Sequence, residues 1–170
     1  MYQMLKVWTL LALCVCLAGC GDEPKGKPAK QYPNLSAADR AVVTEIQKFG
    51  GEITVEESGQ GEIVVEVDLS LSDDTPDVTD AALDHVAKLT TLKKLFLNSA
   101  AITDGGLAKL SPLAELETLD VSGTQISDAG LTHLKDMKKL KKLIARGASV
   151  TEKGEATLKK NHPGILVTIP

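Results

Sequence analysis

Apolar residues return along this chain at a fixed distance. Leu92, Leu95, Leu97, Ile102, Leu107, Leu110 and Leu113 are followed twenty-four residues later by Leu116, Leu119, Val121, Ile126, Leu131, Leu134 and Met137, so seven columns stay apolar. A further shift gives Leu140, Leu143, Ala145, Val150, Glu155 and Leu158, after which comes the polar turn Asn161-His162-Pro163-Gly164. Upstream, Val78 to Leu83 with Val86 and Leu89 matches the second half of a unit. Val64, Val67 and Leu69 match its strand once four residues are inserted between Ser70 and Pro76. Self-similarity at such a period is the mark of stacked repeats. Within a unit the apolar spacing changes from two (Leu95, Leu97) to three (Leu107, Leu110, Leu113), which predicts a short strand, a turn and a short helix. Neither piece can bury its apolar side alone. Stacking buries both, and the predicted α/β fold is a solenoid: a curved parallel sheet with helices on its outer side, built of four units and a terminal strand at Ile165 to Ile169.

The polar columns fit the same frame. Thr79, Thr103, Ser127 and Thr151 stand just ahead of each helix, where a hydroxyl can accept a free backbone N–H. Asp80, Asp104, Asp128 and Glu152 follow, where negative charge suits the helix dipole. Ala82, Gly106, Gly130 and Gly154 share one column, read as a need for a small residue where units touch. An open solenoid also needs covers at its ends. Ser36-Ala37-Ala38-Asp39 has the form of a capping box, Val42, Val43, Ile46 and Phe49 mark one helical face, and Gly50-Gly51 ends the helix. A strand near Ile53 to Glu56, a turn at Ser58 to Gly61 and the alternating run Ile63, Val65, Val67, Leu69 complete an N-terminal cap over residues 36–63, with repeats over 64–170. Glu155, in place of a core leucine, makes the last helix the opposite, polar cap.

The repeated L-x-x-L-x-L followed by I-T-D-x-G-L-x-x-L resembles the leucine-rich-repeat family. Within it, the pattern is similar to the F-box-associated, cysteine-containing subtype and to secreted repeat proteins of planctomycete-like bacteria. The resemblance covers Val64 to Ile169. It implies a domain that binds partners on its concave face and carries no catalysis. One column departs from the family: the usual Asn or Cys after the strand is Ala100, Thr124 and Ala148 here. Without that side-chain ladder, aliphatic packing is expected to hold the units together. No F-box is expected ahead of the repeats, so a ubiquitin-ligase role does not follow.

The first thirty-five residues read differently. Lys6 precedes an apolar run from Val7 to Leu17, long enough for the core of an export signal and short for a membrane span. The run closes on Leu17-Ala18-Gly19-Cys20, which resembles the lipobox of bacterial lipoproteins. That resemblance implies removal of residues 1–19, a diacylglycerol on the Cys20 sulfur and acylation of its new amino group, hence a membrane-anchored protein of the cell envelope facing the periplasm or the exterior. Two or three chains anchor stably where one does not. Residues 20–35, with Pro24, Pro28, Pro33 and several lysines, have the composition of a solvated tether whose ends lie on the order of 20 Å apart.

Composition narrows the chemistry. Cys14, Cys16 and Cys20 all precede the domain, so it is expected to hold neither a disulfide nor a cysteine metal site. The remaining aromatics are Tyr32, Phe49 and Phe96, which makes the core aliphatic. The formal net charge of −4 hides two poles. Acidic residues dominate from Ser36 to Thr90, whereas Lys138, Lys139, Lys141, Lys142, Arg146, Lys153, Lys159 and Lys160 crowd the C-terminal end.

Residues between the inward-pointing strand positions are expected on the concave side: Glu66, Asp68 and Ser70; Lys94, Phe96 and Asn98; Thr118, Asp120 and Ser122; Lys142, Ile144 and Arg146. The candidate contact residues are Lys94, Phe96, Asn98, Asp120, Ser122, Lys142, Ile144 and Arg146, because Phe96 and Ile144 are apolar where solvent is expected and arginine is enriched at interfaces. His85 and His133 share a column with Lys109, the pattern of a solvated helix face. Asp73-Asp74-Thr75-Pro76-Asp77 lacks the spacing of a calcium loop. No catalytic constellation, cofactor or metal site is predicted, and nucleic acid is not an expected partner. The expected role is recognition of a protein or envelope polymer by a monomer. The alternative is a structural envelope protein that self-associates through its solenoid ends or opposite poles.

Overall fold

The computed structural model describes residues 32–70 and 78–169. The export segment, Cys20, most of the tether and the acidic stretch around Asp73 lie outside the described residues. The elements in chain order are α1 (Ala37–Lys48), β1 (Glu52–Ser58), β2 (Gly61–Asp68), α2 (Asp80–Val86), β3 (Lys94–Phe96), α3 (Asp104–Lys109), β4 (Thr118–Asp120), α4 (Asp128–Leu131), β5 (Lys142–Ile144), α5 (Glu152–Asn161) and β6 (Leu166–Thr168). A 3-10 turn over Thr132–Asp136 extends α4.

The six strands form one sheet in sequence order. β1 pairs antiparallel with β2 through a hairpin, and every later neighbour is parallel. Strand–helix alternation dictates this, since a crossover helix returns the chain to the same end of the sheet. The register follows the repeat: Val67, Leu95, Leu119, Leu143 and Val167 are successive partners. Leu95, Leu119 and Leu143 are wholly buried in one continuous aliphatic core. Burying such a leucine contributes roughly 2–3 kcal/mol.

The N-terminal cap forms as its sequence directs. Ser36 Oγ accepts the Asp39 amide at 3.1 Å and donates to Asp39 Oδ2 at 2.8 Å. Val42, Val43 and Ile46 are buried, and Gly50 leaves the helix at a φ of 77°. The strand alternation is broken by a bulge between Thr54 and Val55. As a result Val64 is buried with Val65, Val67 and Leu69, while Ile63 is only half-buried. Two residues placed with the tether by composition belong to the folded unit instead. Leu35 is buried and bridges to Glu62, and Tyr32 Oη donates to the Ile53 carbonyl at 3.0 Å. Burial, with Glu52 and Glu62 nearby, raises the Tyr32 phenol above its ordinary pKa.

Hydrogen bonds do more between units than the sequence suggested. The Ala100, Thr124 and Ala148 column makes no inter-unit side-chain ladder; Thr124 Oγ1 donates within its own unit, to the Val121 carbonyl at 2.6 Å. The ladder runs through the aspartates. Asp80 takes the amide and hydroxyl of Thr103 at 2.9 and 2.6 Å. Asp104 takes those of Ser127 at 2.8 and 2.6 Å, and Asp128 those of Thr151 at 2.8 and 2.7 Å. The aliphatic core is thus joined by a polar ladder in a column where the sequence reading placed only dipole partners. Each hydroxyl also accepts the amide two residues on and so caps its helix, at Gly105, Ala129 and Lys153. Thr79 makes no such cap bond.

The glycine column follows from the ladder. A Cβ on Gly106, Gly130 or Gly154 would overlap the carboxylate of Asp80, Asp104 or Asp128 of the preceding unit. Ala82, at the head of the column where the ladder starts, is the one member that carries a buried methyl.

At the far end, His162 is not part of a solvated turn. It is buried, with Nε2 3.0 Å from the Met137 carbonyl of the preceding unit and Nδ1 3.3 Å from that of Leu158. These contacts pin the end of α5 to the stack. Glu155 stays half-buried and pairs with Lys159 at 2.5 Å.

Candidate functional site

Parallel pairing places the predicted concave residues in columns. Glu66, Lys94, Thr118, Lys142 and Leu166 are successive partners in one, and Asp68, Phe96, Asp120, Ile144 and Thr168 in the next. Ser70, Asn98, Ser122 and Arg146 each follow two residues after the second column, at the rim where the strands turn toward the helices.

The middle of this face neutralises its own charge. Lys94 Nζ reaches Glu66 Oε2 at 3.0 Å across neighbouring strands. Asp120 accepts from the Ser122 amide at 2.9 Å and hydroxyl at 2.6 Å, and the Asn98 amide nitrogen approaches its Oδ1 at 2.8 Å. Asp120 is buried, at 8% exposure, so its carboxylate organises Asn98 and Ser122 rather than standing free in solvent. Asp68 repeats half of this motif by accepting the Ser70 amide at 2.9 Å.

Phe96 and Ile144 are half-buried apolar groups on either side of Asp120. Lys142, the first residue of β5, and Arg146, two residues past its end, are exposed. Sequence reasoning left Leu166 out of the contact set because it lay in the terminal strand. At 68% exposure it is the large apolar side chain most open to solvent among the described residues, and it pairs in register with Lys142. The alternating pattern of the strand carried the signal: Leu166 lies one residue before Val167, the core position.

Below the face, acids and lysines alternate between units. Lys93 meets Glu56 at 2.6 Å, Lys139 meets Glu115 at 2.6 Å and Lys141 meets Glu117 at 2.8 Å. The bond from Lys141 holds the Glu117 carboxyl below its ordinary pKa, and the bond to Glu56 holds the Lys93 ammonium above its own. On the helical side, Lys109 Nζ donates to Asp84 at 2.8 Å and to the Asp80 carbonyl at 2.9 Å. His85 is half-buried, its ring centroid 6.4 Å from that of Phe49, and His133 is exposed. Among the described residues no group of three or more His, Cys, Asp or Glu side chains could hold a metal ion. No helix among them is long and apolar enough to cross a membrane.

The family model described as "Leucine Rich repeat" matches residues 88–111 and 115–135, which hold six of the seven apolar columns in each of two successive units. These residues are leucine-rich repeats, and the chain has the leucine-rich-repeat fold. Its repeats form an α/β fold in which a mostly parallel sheet alternates with helices behind an N-terminal cap. Among solved structures, the actin-binding site 2 of leiomodin-1 is similar at a TM-score of 0.51 and 14% identity, over 80% of each chain. An internalin from Listeria monocytogenes gives 0.43 and 16%, over 81% of this chain and 43% of its own. The repeat ectodomain of a receptor kinase from Arabidopsis thaliana gives 0.42 and 15%, over 81% and 98%. At 14% identity the likeness to leiomodin-1 is one of fold. No curated protein matches the repeat chain in sequence. The matched family is one of repeats that generally serve protein interaction, and no enzyme family is seen.

Proposed function

We propose that this leucine-rich-repeat protein is a bacterial lipoprotein, tethered outside the cytoplasm through Cys20, whose concave face recognises a protein or envelope polymer. The observation that carries the recognition reading is the placement of Phe96 and Ile144 in a solvent-facing column beside Lys142 of β5 and Arg146 in the turn after it. Apolar side chains rimmed by charge are what a partner can desolvate with gain. Capture from envelope extract tests this. A Phe96→Ala, Arg146→Ala double variant should lose partners that the unaltered protein retains, and an unchanged set of captured partners overturns the assignment of the face.

The anchor rests on Leu17-Ala18-Gly19-Cys20 at the end of an apolar run. Cys20→Ser should abolish both membrane association and the added mass of the acyl chains. The I-T-D-x-G-L signature resembles that of planctomycete-like secreted repeat proteins, which supports a bacterial envelope setting. A second reading, head-to-tail self-association, draws support from the acidic and basic poles and from exposed Leu166 on the last strand. Sedimentation that stays monomeric at high concentration removes it.

A further inference from the structure

The basic end of the concave face has a pattern of its own. Lys142, Ile144 and Arg146 alternate along β5 and the turn after it as cation, apolar group and cation. The other charges of the face are spoken for. Lys94 is paired with Glu66, and Asp120 is held by Ser122 and Asn98. Lys142 and Arg146 stand exposed, and neither forms a salt bridge among the described residues. Exposed Leu166, the strand partner of Lys142, enlarges the apolar floor beside Ile144.

We propose that this end of the face docks an extended acidic segment of a partner protein, with an acid, an apolar residue and an acid at alternate positions. The inference rests on the recognition reading above and names its partner class. The argument is one of matching periods. In an extended chain, residues two apart share a face and residues four apart lie about 13 Å from each other. Lys142 and Arg146 are separated by that same number of residues, so two carboxylates spaced i, i+4 on a partner strand would meet the two cations while the residue between them packs on Ile144 and Leu166. In a helix, residues four apart lie only about 6 Å from each other, so acids at that spacing span both cations only in an extended chain. A second copy fits less well tail to tail, because α5 ends in Lys159 and Lys160 and would oppose like charges. Surface cations steer such a partner and set its register, while the apolar contact supplies most of the affinity.

The test uses the full chain and a fluorescein-labelled peptide, SETVTES, with SKTVTKS as its charge-reversed counterpart. Fluorescence anisotropy should show SETVTES binding, weakened at least tenfold in a Lys142→Ala, Arg146→Ala variant. A Lys142→Glu, Arg146→Glu variant should reverse the preference toward SKTVTKS. On the unaltered chain, raising salt from about 50 mM to about 500 mM should weaken binding severalfold, a readout independent of whether any variant folds. Absent binding, affinity insensitive to salt, or equal binding by the alanine variant overturns the proposal. So does a dimer of the unaltered chain that the alanine variant dissolves, since the occupant is then a second copy. If SETVTES fails while the Phe96→Ala, Arg146→Ala variant still loses captured partners, this inference falls and the recognition reading stands.

Discussion

Asp104, the first residue of α3, holds Ser127 of the next unit by both its amide and its hydroxyl, at 2.8 and 2.6 Å. Ser127 Oγ in turn accepts the Ala129 amide at 3.2 Å. One carboxylate therefore positions the cap that starts the following helix, and the same relation recurs at Asp80 with Thr103 and at Asp128 with Thr151. Asp104→Ala should cost about 1–3 kcal/mol in chemical denaturation, the range for losing charge-assisted hydrogen bonds.

The glycine column predicts a coupling. Gly130→Ala puts a methyl where the Asp104 carboxylate lies, for an expected loss of roughly 1–3 kcal/mol. In an Asp104→Ala background the carboxylate is gone and the backbone Cα of residue 104, at 3.3 Å, is the tight neighbour that remains, so the loss should shrink by at least about 1 kcal/mol. Simple additivity in the double-mutant cycle would show that the two residues do not share that space.

Acid should loosen the stack. Asp128 is held below its ordinary carboxylate pKa chiefly by the Thr151 amide, then by the Thr151 hydroxyl. A depressed native pKa means the unfolded chain takes up the proton first as pH falls. The stabilisation is complete above the ordinary aspartate range and is lost through it and down to the lower native value. Asp128→Asn should therefore flatten the thermal-stability profile below about pH 5. A profile as steep as that of the unaltered protein would assign the acid sensitivity elsewhere.

The turns after the strands test backbone conformation. Ser99, Gly123 and Gly147 occupy one column at φ of 61°, 68° and 69°. A Cβ on Gly147 meets only distant atoms of Gly123, at 3.9 Å, so Gly147→Ala should cost about 1–2 kcal/mol from the left-handed conformation alone. Ser99→Gly should gain up to about 1 kcal/mol, reduced by the greater freedom of glycine in the unfolded chain. Thermal melts of both variants decide it.

In the core, Leu119 is fully buried with strand partners on both sides. Leu119→Ala should lose about 2–5 kcal/mol, because packed neighbouring units relax little into the cavity. A loss under 1 kcal/mol would mean that the units are not closely packed there.

The apolar columns by themselves determined the stack. A period of twenty-four residues fixes which side chains must share one interior, and with it the parallel register, the count of units and the direction of the concave face. The helix starts were legible too, since a hydroxyl followed by an acid is a local signal; Ser36, Thr103, Ser127 and Thr151 all act on residues two or three positions away. What lay beyond reach were contacts between residues a whole unit apart whose columns are polar. The aspartates looked sufficient as dipole partners, so their grip on the next unit and the resulting exclusion of a methyl at Gly106, Gly130 and Gly154 emerged only once the units were stacked. His162 sat in a polar turn by composition and became buried because the Met137 carbonyl lies within reach of its ring. Asp120, expected on the solvent-facing side, was drawn down by Asn98 and Ser122, and Leu166, given no role by the sequence, was left exposed beside Lys142. Burial of an aliphatic side chain is a property of the period, which a sequence carries. Satisfaction of a polar group depends on which neighbour arrives beside it, and only the packed structure decides that.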